Sequence, residues 1–153
     1  MPDSRDRDDS AEPAFSPSIA LVTTARDVEV RLAALLEPHA LTLRKYAVLQ
    51  RIAATPGLSL ADLARGQRST ERGVATIIRA LVDAGWARAG TGPGGLPAQV
   101  TVTRDGSVLL DRLRREIDAL DAETFASPAG VGLASALGEL AAENAPRREQ
   151  PPE

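Results

Sequence analysis

The sequence predicts a mainly α fold: a winged helix-turn-helix with a two-stranded β-hairpin wing, framed by longer helices at both ends. Three observations carry this. From Leu41 to Ala84, apolar residues recur at helical spacing in three runs, broken by Pro56-Gly57 and by Gly66-Gln67-Arg68. Two short strand-like stretches follow, joined by the loop Gly92-Pro93-Gly94-Gly95-Leu96-Pro97. Residues 41–104 also hold nine cations against three carboxylates, net +6 inside a chain whose formal charge is −3.

Each element can be justified in order. Residues 1–15 are charged, contain proline and lack periodicity, which predicts a disordered tail. Ile19, Val22, Val28, Leu32, Leu35 and Leu36 then fall at helical spacing, and Pro38 ends that helix. Thr42 is a natural cap for the next, whose Tyr46, Leu49 and Ile52 share one face. Ser59 caps a short helix with Leu60, Leu63 and Ala64 inward, and Ser69 or Thr70 caps a longer one with Val74, Ile77, Ile78 and Leu81 as its apolar stripe. Gly85 stands where a helix C-terminal glycine is favoured. Trp86 to Thr91 and the β-branched run Gln99 to Thr103 predict the two strands. A long helix follows from Ser107 to about Phe125 and another from Ala129 to Glu143, separated by Ser127-Pro128. Residues 144–153 predict a second disordered tail.

Composition excludes several chemistries. The 153 residues suit one domain with a real core. There is no cysteine, so disulfides and thiolate chemistry are absent. The lone histidine, His39, rules out a multi-histidine metal centre. No Ser/His/Asp set, phosphate loop or supported carboxylate pair is visible, so the chain reads as a non-enzyme with no cofactor. No apolar run reaches the roughly 18 residues of a membrane span and no signal peptide is evident, which gives a cytoplasmic expectation. The segments flanking the cationic centre are each net acidic, the asymmetry expected of an anion-binding lobe.

Four stretches match a known pattern: Leu41-Thr42-Leu43-Arg44-Lys45-Tyr46-Ala47-Val48-Leu49, Pro56-Gly57-Leu58-Ser59-Leu60-Ala61-Asp62-Leu63-Ala64-Arg65, Leu81-Val82-Asp83-Ala84-Gly85-Trp86-Ala87-Arg88 and Val102-Thr103-Arg104-Asp105-Gly106. Together they resemble the MarR family of bacterial transcription regulators over about residues 18–143. The resemblance implies a homodimer held by the terminal helices (16–40 and 105–143) around a DNA-binding lobe at 41–104. It also implies a palindromic double-stranded operator and, often, release by a small aromatic or anionic ligand in the crevice between lobes. Some positions depart from the pattern. Gln67 and Arg68 stand where the turn usually has a hydrophobic residue and a glycine, Glu71 and Gly73 open the recognition helix, and Ala75 and Thr76 fall where a polar or basic base reader is common. Gly95-Leu96-Pro97 replaces the usual Asp-Arg-Arg of the wing.

Arg65, Arg68, Ser69, Thr70, Arg72, Thr76, Arg79 and Arg88 are therefore the expected DNA-facing residues. Arg72, near the front of the recognition helix, suits bidentate contact with guanine. Arg79, two turns on, suits a phosphate or solvent. Thr70 could cap the helix, contact phosphate, or both. Arg88 and Arg104 flank the wing strands and could offset its bare tip. His39 and Tyr46, near the junction of the first two helices, are the expected ligand contacts, against the plainer reading of a loop histidine and a core tyrosine. The neutral wing leaves a second function open, in which the same scaffold binds or transforms a small molecule without reading DNA.

Overall fold

The computed structural model describes residues 15–149. Within them, α1 (Pro17–Leu36) leads through a 3₁₀ turn (Glu37–His39) to α2 (Leu43–Ala54), α3 (Leu60–Gly66) and α4 (Glu71–Asp83). Strands β1 (Ala87–Thr91) and β2 (Pro97–Val102) form an antiparallel hairpin, and α5 (Arg104–Thr124) and α6 (Pro128–Glu149) complete the chain. The predicted tail at 1–15 falls, but for Phe15, outside the described residues. At the other end, helix continues to Glu149, where a tail was expected from residue 144. The continuation runs through Pro146, which local helix preference does not explain.

Capping chemistry sets the helix starts. Ser16, Thr42, Ser59, Thr70 and Thr103 each accept a hydrogen bond from the amide three residues on. At Ser59 the capping box is complete, because Asp62 returns a bond to the Ser59 amide. Helix α5 begins three residues earlier than the expected start at Ser107, since Thr103 caps it.

The core is centred on α2, α3, α4 and the hairpin, with Leu36 of α1 and Leu109 and Leu113 of α5 joining it. Leu36, Tyr46, Val48, Leu49, Ile52, Leu63, Val74, Ile78, Leu81, Val100, Leu109 and Leu113 form one buried cluster. In contrast, α1 buries only Leu36, and its Ile19, Val22 and Val30 stay exposed. Val131, Leu133, Leu137 and Leu140 of α6 are exposed as well. Val108 is 62% exposed, although it lies beside Leu109, because the inward face of α5 is centred on Leu109, Leu113 and Leu120. Between the end helices, Arg31 of α1 reaches α5, bonding Glu123 Oε2 at 2.6 Å and Thr124 Oγ1 at 3.1 Å.

The base of the wing is locked. Thr103 donates its hydroxyl to the Gly85 carbonyl at 2.8 Å while the same oxygen accepts from the Gly106 amide at 3.0 Å. Its amide also donates to the Trp86 carbonyl at 3.1 Å. These bonds explain the Thr103-x-x-Gly106 pattern, which fixes the end of β2 and the start of α5 to the corner between α4 and β1.

Candidate nucleic-acid interface

Helix α4 is strongly two-sided. Val74, Ala75, Ile78 and Leu81 are buried, while Arg72, Thr76 and Arg79 are exposed. Ala75 therefore packs inward while the adjacent Thr76 is exposed, although sequence position alone set the two level. Thr70 caps the helix through a 3.1 Å bond from the Gly73 amide, and Thr76 donates its hydroxyl back to the Arg72 carbonyl at 3.1 Å. Gly73 has a packing reason that the sequence hides: a Cβ there would stand 2.8 Å from the Ser69 hydroxyl. Glu71 sits in the first turn, where a carboxylate complements the helix dipole.

The turn before α4 holds a backbone feature of its own. Arg68 has φ 47°, in the left-handed region where glycine is favoured. Its amide bonds the Arg65 carbonyl, and the Ser69 amide reaches back to Ala64 at 2.9 Å. This is a Schellman closure with arginine where glycine is usual. Arg65 is exposed but paired with Asp62 at 3.0 Å, so part of its charge is already engaged. The Asp62 carboxyl is held below its usual range, first by the hydroxyl and amide of Ser59 and then by Arg65.

The wing tip folds on itself. Gly92 donates to Leu96 at 2.7 Å, and Gly94 and Gly95 take φ of 66° and 71°. Arg88, exposed opposite Thr101, is the one charged side chain between Ala87 and Val102. Arg79 does not extend free from α4: its guanidinium donates to the Gly95 carbonyl at 3.2 Å. Thr70, Arg72, Thr76 and Arg79 thus share one surface with Arg68 at its entrance, while Arg88 lies apart on the hairpin.

No protein-family model matches the chain. Over 96 residues, 62% of this chain and 69% of the relative, it is 35% identical to the HTH-type transcriptional repressor Rv2887 of Mycobacterium tuberculosis. The crystal structure of Rv2887, a MarR family protein, in complex with DNA superposes with a TM-score of 0.67 at 28% identity, covering 82% of this chain and 98% of that one. The chain belongs to the MarR family. Rv2887 has also been solved with p-aminosalicylic acid, matching this MarR protein with a TM-score of 0.62 at 27% identity over 83% of this chain and 99% of that one.

In this MarR protein a cleft of about 920 Å³ opens between α1 and the start of α2 and reaches the turn after α3. Val30, Ala33, Ala34, Leu41 and Leu43 give it apolar walls, with Arg44, Glu29, Glu37 and Gln67 at its polar edge. A second recess of about 560 Å³ lies between α2 and α5, where Arg51 and Arg114 face Ala47, Ala54 and Leu110. His39 and Tyr46 line neither, and the fold does not bring them together. His39 contacts Arg112 in a shallow recess with Trp86 and Asp105. Tyr46 is buried, and its hydroxyl accepts a 2.8 Å bond from Gln50. Burial pushes the phenol above its usual range, outweighing the opposite pull of Arg114. Arg44, which edges the first cleft, was not among the ligand contacts expected from the sequence, although it stands beside Leu43 at the opening of the family-like second helix. No helix among the described residues is long and apolar enough to cross a membrane, and no cluster of metal-binding side chains occurs among them.

Proposed function

We propose that this MarR protein is a homodimeric, cytoplasmic regulator that binds duplex operator DNA and responds to a small aromatic or anionic ligand. The observation that carries the reading is α4: an exposed Thr70, Arg72, Thr76 and Arg79 surface on a helix whose other side is core. In a winged helix such a surface enters the major groove. Rv2887, with its DNA and p-aminosalicylic acid complexes, is the precedent for both partners. Residues 41–104 would be the DNA-binding lobe, with 16–40 and 105–143 supplying the dimer helices, whose exposed Ile19, Val22, Val30, Val131 and Leu137 suit a second copy. The cleft with Arg44 at its edge suits an aromatic carboxylate, and its position between α1 and the α3–α4 turn would couple occupancy to the separation of the two recognition helices.

A mobility-shift titration with duplex from upstream of the protein's own gene, run from low to physiological salt, is the direct test. Binding that weakens steeply with salt is expected; no salt-sensitive binding at any concentration would sink the reading. The bare wing favours one competing use, a MarR-fold protein that binds a small molecule without reading DNA. Thermal stabilisation by salicylate in a protein that ignores duplex DNA would decide for it.

A further inference from the structure

The wing tip is poor in everything that normally steadies or anchors such a loop. It carries no charge from Ala89 to Val102, and Gly90, Gly92, Gly94 and Gly95 give it more backbone freedom to lose than any other residue type would. Its internal bonds close the tip on itself, Gly92 to Leu96 and Gly95 to Gly92, but do not tie it to the rest of the molecule. Beneath it lies a gap of about 230 Å³ with Ile78, Val82, Ala89 and Leu96 around it. Arg79 spans that gap from α4 to the Gly95 carbonyl. Asp83, one turn further along α4, lines the same gap, yet among the described residues Arg79 makes no ion pair with it.

We infer that Arg79 is a positioning residue for DNA recognition: it fixes the neutral wing against the recognition helix before DNA arrives. The inference rests on the DNA-binding reading above and assigns Arg79 a role other than the phosphate contact its sequence position suggests. A wing tip without cations draws little from charge, so its contribution depends on standing at the right distance from α4. Preorganisation then does what an inserted arginine would do by attraction. A freely swinging tip would have to be ordered at each binding event, and that cost would appear as lost affinity.

The test is the Arg79→Ala variant of the full chain, measured in two ways. Without DNA, amide exchange at Gly92 and Leu96 should accelerate about tenfold while α4 amides stay protected, because only the tether is lost. With a duplex selected from a random library by the wild-type protein, affinity should fall about tenfold with the log–log salt slope unchanged, because no phosphate contact is lost. A slope shallower by about one unit with unaltered wing exchange would make Arg79 a phosphate contact and overturn the inference. If the wild-type protein selects no duplex, the DNA-binding reading fails, and unaltered exchange would still refute the tether by itself. Arg79→Lys separates charge from shape: full recovery of affinity while the tip stays loose would also count against positioning.

Discussion

Gly106 lies so close to Trp86 that a Cβ on it would stand 2.2 Å from the Trp86 carbonyl oxygen, with the Val102 side chain at 2.9 Å. Backbone cannot yield there cheaply, because the same carbonyl accepts the Thr103 amide. Gly106→Ala should therefore cost about 2–3 kcal/mol, at the upper end for overpacking. Urea denaturation would measure it, and a loss below about 0.5 kcal/mol would mean the corner relaxes freely.

Arg68 offers a separation of stability from function. An L-residue in the left-handed region costs roughly 1–2 kcal/mol, part of which glycine would lose again as unfolded-state entropy. Arg68→Gly should raise stability by about 0.5–1 kcal/mol while weakening operator binding and flattening its salt dependence. Improved stability with undiminished DNA affinity would remove Arg68 from the interface.

Arg72 is exposed and carries no ion pair among the described residues. Arg72→Ala should cost about 1–3 kcal/mol of operator affinity and relax selectivity at one base pair, the mark of a base contact. A uniform loss on all sequences would instead make it a phosphate contact.

Tyr46 is the chain's one tyrosine, so its ionisation can be followed in isolation by ultraviolet absorbance. Burial raises its pKa, so the folded protein should form phenolate only above the range of an exposed tyrosine. The sign for stability follows: the unfolded chain loses this proton first, and stability falls as pH rises through the ordinary phenol range. Titration at the usual position in folded protein would contradict the buried geometry.

The apolar faces of α1 and α6 predict assembly. Leu137→Asp, in the middle of the exposed α6 stripe, should shift the protein from dimer to monomer in sedimentation experiments without unfolding the central lobe. An unchanged dimer would put the interface elsewhere.

How much was legible in the sequence depends on which force decides each feature. The stripe Val74, Ile78 and Leu81, the caps at Thr42 and Ser59, and the α4 cap to within Ser69 or Thr70 were readable, because periodicity and capping are local. Helix ends were less so: Thr103 caps α5 because a wing folds back onto Gly85, a contact between residues 18 apart. The tether from Arg79 to Gly95 was invisible for the same reason, and so was the left-handed turn at Arg68, since arginine gives no sign of it. His39 and Tyr46, close in sequence, end in different surroundings, because the 3₁₀ turn at Glu37–His39 sets His39 against Arg112 of α5 while α2 points Tyr46 into the core. Apolar periodicity in α1 and α6 identified helices correctly but not burial, which one copy of the chain does not supply.

Trp86 is the chain's single tryptophan, and its indole N–H is bonded to the His39 carbonyl at 2.9 Å. One end of that bond belongs to the turn after α1 and the other to the root of the wing. The protein therefore contains its own optical gauge at the joint between the turn after α1 and the wing. A movement of the turn after α1 away from the root of the wing would break this bond, and the emission of one fluorophore, with no added label, would record it.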